Sequence, residues 1–208
     1  MEQVEYSTKD PFMNVALDEI LLLKAERGEI EETVRFWKSD EYFVVLGRGS
    51  KAEEDCHVDR CALDEVKILR RISGGGTVLQ GPGCFNYSLI LSYQTDGELC
   101  GVNSSYRYIL GKIVKALDGE GFSASFLPVS DLAVGGKKIS GNAQARKKKY
   151  LLHHGTFLDS MDISAINKYL KHPPKEPGYR EGRAHGDFLT NTGMGWSRFK
   201  KMILEAFL

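Results

Sequence analysis

The stretch Arg70-Arg71-Ile72-Ser73-Gly74-Gly75-Gly76-Thr77-Val78 decides how the rest of the chain is read. Three consecutive glycines at the end of a strand weaken any regular structure, so another requirement holds them there. Glycine permits positive φ and lets a ligand touch the backbone. Exposed N–H groups in such a loop bind anions. The two arginines alternate faces on the incoming strand, so one can offer its bidentate fork to a phosphate or carboxylate. No Gly-Lys-Ser/Thr follows, so this is not a Walker loop, and it is not Gly-x-Gly-x-x-Gly either. Two readings stay open: a glycine-rich hairpin turn and an anion-binding loop. Gly81-Pro82-Gly83-Cys84 is a second tight turn, and residues 85–92 return as a strand.

Downstream, Ser130-Asp131-Leu132-Ala133-Val134-Gly135-Gly136-Lys137-Lys138-Ile139-Ser140-Gly141-Asn142-Ala143 carries the second informative pattern. Gly135-Gly136 reads as a hairpin turn. Lys137 and Lys138 then face opposite sides of the next strand, one solvated and one inward. Lys is a compact cation suited to phosphate oxygens or a carboxylate. Asp131, on the preceding arm, suits either Mg²⁺ or an incoming amine. The run Arg146-Lys147-Lys148-Lys149 reads as a solvated turn. His153-His154-Gly155-Thr156 follows on a strand, where adjacent histidines point apart and make poor co-ligands of one metal.

Around these loops the chain reads as a single domain of 208 residues. A strand is expected over 4–7. Asp10-Pro11 starts a helix with Phe12, Val15, Ala16, Ile20 and Leu23 at helical spacing, and Gly28 ends it. Residues 34–37 and 42–46 read as an antiparallel hairpin turning at Ser39-Asp40. Helices are expected over 53–65, 104–117, 162–170 and 196–207. Strands are expected over 66–71, 122–127, 132–134, 138–140 and 155–158. Residues 175–195 read as polar and irregular. Strands and helices interleave without βαβ regularity, so the fold class is α+β with a mixed or antiparallel sheet.

Lys+Arg and Asp+Glu number 28 each. That balance excludes an overall attraction to nucleic acid or anionic membrane. No apolar run reaches the roughly 18 residues that span a bilayer, and the acidic N-terminus does not read as a signal peptide, so a cytoplasmic location is expected. The four cysteines, Cys56, Cys61, Cys84 and Cys100, are then expected as free thiols.

Together these residues resemble the lipoate–protein ligase A family of the biotin/lipoyl ligase superfamily. Arg70 to Gly76 matches its Arg-Arg-x-Ser-Gly-Gly-Gly signature. Ser130-Asp131, Gly136 to Ala143 and His153 to Thr156 match its further elements. Asn14 with Asp18-Glu19, Trp37, Gly47-Arg48 and Tyr179 to His185 are similar as well. The resemblance implies a biotin/lipoyl ligase-type catalytic domain and a two-step reaction. Lipoate and Mg·ATP (ATP with Mg2+) give lipoyl-adenylate, and a lysine of a lipoyl domain or glycine-cleavage H-type protein then takes the acyl group. It implies Lys138 as the cation bridging carboxylate and α-phosphate, and Arg71 holding the acyl-adenylate from the other side. Gly76, Thr77, Val78 and Leu79 would meet the nucleotide. Ser73, Gly75, Ser140, Gly141 and His154 complete the implied binding set.

Three departures qualify the likeness. Family members often carry a C-terminal accessory domain or obtain it as a separate chain, and this chain stops at Leu208, so an accessory partner is an expectation. Gln80-Gly81 stands where a His-Asp pair is frequent. Related octanoyl transferases use a catalytic cysteine, which residues 124–126 lack, leaving Cys84 as the candidate nucleophile. The alternatives are therefore an ATP-independent octanoyl or lipoyl transferase, or a non-catalytic lipoyl-protein-binding module.

Overall fold

The computed structural model describes residues 1–207. Two sheets organise it. The larger has seven strands in the order β1-β2-β6-β10-β9-β8-β7, and the smaller has three in the order β4-β3-β5. The strands are β1 (Glu2–Glu5), β2 (Thr33–Trp37), β3 (Phe43–Leu46), β4 (Lys67–Arg70), β5 (Val78–Gln80), β6 (Cys84–Ser92), β7 (Ala124–Leu127), β8 (Asp131–Val134), β9 (Lys137–Arg146) and β10 (Tyr150–Leu158). β1 pairs with β2, and β3 with β4, in parallel; every other pairing is antiparallel. This is the mixed α+β architecture expected.

The helices are α1 (Pro11–Glu26), α2 (Ala52–Asp55), α3 (Val58–Leu63), α4 (Val102–Gly119), α5 (Ile163–Tyr169), α6 (His185–Phe188) and α7 (Trp196–Phe207). α4 and α7 cover one face of the large sheet over a core that includes Phe36, Tyr87, Ile109, Ile113, Phe199 and Ile203. Phe36 and Phe85 meet Trp196 and Phe199 there edge-on or tilted, and Trp196 stacks on Phe199, contacts worth about 0.5–1.5 kcal/mol each beyond their burial. The apolar stripe of α7 thus closes this core. The small sheet has its own core with α3, α5 and α6. No described helix is long and apolar enough to cross a membrane.

Three local expectations change. The helix expected over 53–65 is broken into α2 and α3 by an extended Cys56 that bridges Leu170. Residues 34–37 and 42–46 do not form a hairpin: β2 belongs to the large sheet and β3 to the small one. All residues of both strands are buried, whereas a hairpin with one wet face would alternate. The third change concerns α1. Its start is as expected, with Asp10 accepting from the Phe12 N–H and Pro11 in the first turn. Its buried side, however, carries Asn14, Asp18, Leu22 and Ala25, while Phe12 and Ile20 are exposed. Asn14 and Asp18 are buried because each bonds a guanidinium arriving from β2.

β9 and β10 run longer than their apolar cores suggest, and the basic run forms the turn between them. Glu26 of α1 accepts from the Lys148 and Lys149 N–H groups there. Residues 175–195 are better ordered than their polarity implies. Thr190 N–H donates to the Lys138 carbonyl, and Arg180 is buried over the Phe188 ring.

Candidate active site

One cavity of about 160 Å³ lies where the small sheet leans on the large one. The register explains its shape. Trp37 of β2, Asn86 of β6, Thr156 of β10, Gly141 of β9 and Asp131 of β8 are successive Cα partners. Residues in register share a face, so these five form one row across five strands, and all five line the cavity. Val15 of α1, Val45 of β3 and Val78 of β5 roof the Trp37 end with apolar surface.

The glycine loop closes over this row; Arg71 bonds this loop and Arg70 the neighbouring loop of residues 47–50. Arg71 is buried; its Nε donates to Ser73 Oγ at 2.9 Å, its Nη1 to the Val45 carbonyl at 3.2 Å, and its Nη2 to the carbonyls of Gly74 and Gly76 at 2.7 and 2.8 Å. Burial lowers its pKa to about 10. Arg70 donates to the carbonyls of Gly47, Arg48 and Ser50. Arg71 lines the cavity, and four of its five N–H donors run to the protein, three to carbonyls and one to Ser73 Oγ, which leaves one Nη1–H without a partner among the described residues. The N–H groups of residues 74–77 have no partner among the described residues, and Gly75, Gly76 and Thr77 line the cavity, so the loop has free donors of the kind that bind anions. Gly75 has φ +87°, and a Cβ on Gly47 would lie 2.0 Å from its carbonyl oxygen. The two loops touch backbone to backbone, and glycine alone allows it.

Ser73 and His154 link the loop to the sheet. His154 Nε2 lies 2.6 Å from Ser73 Oγ, and its Nδ1 lies 2.8 Å from Asp18 Oδ2. Asp18 Oδ1 accepts from Arg35 Nη1 at 2.7 Å. Ser73 Oγ accepts from Arg71 Nε and also meets His154 Nε2, while His154 Nδ1–H donates to the Asp18 carboxylate. Burial pushes the Asp18 carboxyl up, but the bond from His154 and the charge of Arg35 bring it below its ordinary value. Ser73 is buried and does not line the cavity, so the series Asp18–His154–Ser73 is a tie and not a nucleophile relay.

At the other end of the row, Lys138 Nζ lies 2.8 Å from Asp131 Oδ1, while Lys137 is exposed. Alternation thus separates the two lysines as expected. Tyr179 donates to Asp131 Oδ2 at 2.8 Å; burial and the Asp131 charge raise the tyrosine pKa. Both Asp131 oxygens are engaged, both Asp18 oxygens are engaged, and the described residues hold no cluster of three metal-ligating side chains. Asp131 lines the cavity beside Lys138; a single carboxylate can meet magnesium that arrives with nucleotide phosphates.

Of the other expected residues, Gly75, Gly76, Thr77, Val78 and Gly141 line the cavity. Leu79 and Ser140 do not. Leu79 faces the small-sheet core. Ser140 lies on β9 in register with Leu132 and Phe157, with its Oγ buried and unpartnered. Cys84 is corrected too. It packs in the small-sheet core, burial pushes its thiol to about 12, and it does not reach the cavity. No cysteine lines the cavity among the described residues.

Sequence reasoning missed a closed polar ring in the cavity wall. Gln80 Nε2 donates to Thr156 Oγ1 at 2.6 Å, Thr156 Oγ1 to Asn86 Oδ1 at 2.7 Å, and Asn86 Nδ2 to Gln80 Oε1 at 3.0 Å. The one available signal was Asn86, a lone amide in an otherwise apolar-rich strand. Beside the ring, the Trp37 indole N–H is buried with no partner. The cavity therefore offers free loop N–H groups, two cations in Arg71 and the Asp131-paired Lys138, and apolar surface from Val15, Trp37, Val45 and Val78: groups suited to an amphiphile with an anionic head.

The comparisons agree with that chemistry. The family described as "Lipoyl protein ligase A/B catalytic domain" matches residues 10–207. A probable lipoate-protein ligase A from Mycoplasma pneumoniae is 34% identical over 160 residues, covering 77% of this chain and 46% of that protein. The chain thus spans about half the length of that relative. An octanoyltransferase LipM from Clostridioides difficile is 29% identical, covering 81% of this chain and 68% of that protein. The bipartite lipoate protein ligase of Thermoplasma acidophilum, studied with its E2 lipoyl domain, superposes with a TM-score of 0.82 at 22% identity, over 99% of this chain and 81% of that one.

Proposed function

Since the chain belongs to the lipoyl protein ligase A/B catalytic-domain family, we propose that it activates lipoate with Mg·ATP to lipoyl-adenylate. It then passes the lipoyl group to a lysine of a carrier, a lipoyl domain or a glycine-cleavage H-type protein. In the first step the lipoate carboxylate attacks the α-phosphorus, and the bond to the β-phosphate breaks to release pyrophosphate. Two anions must be held together for this, and positioning with electrostatic stabilisation carries such transfers. Lys138 lies between them, and the N–H groups of residues 74–77 take phosphate oxygens. The acyl chain runs along the row toward Trp37. β9 and β2 are three strand spacings apart, about 14 Å, a length of the order of an extended lipoyl chain.

The observation that carries this reading is that Lys138 and a glycine loop with unpartnered N–H groups line one cavity that no cysteine lines among the described residues. It favours an adenylate over the thioester of an ATP-independent transferase. The test is to mix the protein with lipoate, apo-carrier and Mg·ATP and follow carrier mass. Lipoylation that requires ATP supports the reading, and equal modification from an acylated donor without ATP overturns it.

A further inference from the structure

Thr77 follows the three glycines directly and lines the cavity. Its hydroxyl has one proton to give, and Thr77 Oγ1 donates it to Asp55 Oδ2 at 2.5 Å. Toward the cavity that oxygen is left as an acceptor only. Phosphate oxygens accept as well, so Thr77 Oγ1 cannot bond them directly. Asp55 adds a second mismatch. It is half-buried behind Thr77 and outside the cavity wall. No Lys, Arg or His pairs with it among the described residues, whereas the adjacent Glu54 pairs with Lys51. The position is fixed from the backbone: the Asp55 carbonyl accepts from the Lys171 N–H at 2.9 Å, and Cys56 bridges Leu170. An unpaired carboxylate at this place repels any phosphate that the loop N–H groups attract. A divalent cation between them turns both mismatches into ligation. Mg²⁺ takes oxygen ligands from one or two protein groups plus substrate phosphates, and a loop hydroxyl with a nearby aspartate holds it in P-loop NTPases.

We propose that Thr77 and Asp55 receive the magnesium ion of the Mg·ATP substrate. Thr77 Oγ1 meets the metal with a lone pair. Asp55 keeps the hydroxyl proton turned away from the metal and supplies the compensating negative charge. Triphosphate oxygens and water complete the octahedron that Mg²⁺ demands. The ion screens the phosphates from Asp55, while the N–H groups of residues 74–77 hold other phosphate oxygens. This rests on the ATP reading above and names where its metal is held. The place is distinct from Asp131, whose two oxygens already meet Lys138 and Tyr179.

The test uses α,β-methylene ATP, which keeps the triphosphate but cannot release pyrophosphate, so binding is read without turnover. Calorimetric titrations with Mg²⁺ and with EDTA give the affinity gained from the metal in the wild type, Thr77→Val, Asp55→Asn and Asp131→Asn. Loss of a group that orients a metal's ligands costs roughly 10–100-fold in metal affinity. The gain should fall by about that factor in Thr77→Val and Asp55→Asn and persist in Asp131→Asn. Metal-free affinity controls for folding: it should be unchanged in Thr77→Val and equal or higher in Asp55→Asn, which removes a repelling charge. Thr77→Cys should recover the gain with the thiophilic Cd²⁺ and not with Mg²⁺, a switch that a merely structural hydroxyl would not show. A wild-type gain in both Thr77→Val and Asp55→Asn, or a gain lost only in Asp131→Asn, overturns the inference and leaves the ATP reading standing. A wild type that binds the nucleotide in neither condition overturns both.

Discussion

His154 and Asp18 meet across 2.8 Å, Nδ1 to Oδ2, and this contact joins β10 to α1 directly beneath the glycine loop. With Arg35 on the other carboxylate oxygen, the pair holds together three segments that are far apart in the chain.

Asp18→Asn leaves the Arg35 guanidinium buried without its counter-charge. Breaking one side of such a pair costs about 3–5 kcal/mol. Because the folded-state pKa of Asp18 is depressed, its contribution is present above the ordinary carboxylate range and is lost as pH falls through the folded value. Urea unfolding near neutral pH should show the full loss in the variant, and the gap to wild type should narrow in acid.

Lys138→Ala should abolish most adenylate formation while leaving the fold intact. Losing one charged contact of this kind costs on the order of 3 kcal/mol, a few-hundred-fold in rate. Lys137, exposed on the opposite face, should tolerate alanine with little change. Pyrophosphate release measured for both variants checks this; equal behaviour would remove Lys138 from the mechanism.

Cys84→Ala should keep its activity and lose about 1 kcal/mol of stability from the small-sheet core. Mass spectrometry during turnover should find no acyl group on Cys84. An acyl adduct there, with activity lost in the variant, would restore thioester chemistry.

His153 makes stability fall in acid. It is fully buried, and burial lowers its pKa from 6.5 to about 3. Gln144 Nε2 occupies its Nδ1 and the Tyr87 hydroxyl its Nε2, so an added proton would face a donor. Between these values the unfolded chain binds more protons than the folded one, so stability is lost as pH falls. The slope reaches about 1.4 kcal/mol per pH unit. Urea midpoints measured across this range for wild type and His153→Gln should show a shallower pH dependence in the variant.

What could be read from sequence, and what could not, follows the range of the interactions. Lys138 was separable from Lys137 because strand alternation is local, and the start of α1 was legible because capping is local. The buried face of α1 was not, because Asn14 and Asp18 are inside only through Arg35, on a strand 21 and 17 residues away. The sheet membership of residues 43–46 was hidden for the same reason: their partners are β4 and β5, not the adjacent β2. Arg71 shows the limit at the site. Its type and position pointed to an anion, but the loop carbonyls of Gly74 and Gly76, Ser73 Oγ and the Val45 carbonyl take most of its donors, and only the folded path of residues 72–76 reveals that.

On the acyl path proposed above, the row from Trp37 to Asp131 makes the large sheet a ruler with coarse divisions. Strand spacing near 4.8 Å cannot be tuned by mutation, whereas acyl chains differ by single carbons. Fine calibration of chain length therefore falls to the volume of the side chains at the far mark, Trp37 and the ring of Gln80, Asn86 and Thr156. Descendants of this scaffold can change the tails they accept by repainting that one mark while the graduations stay where they are.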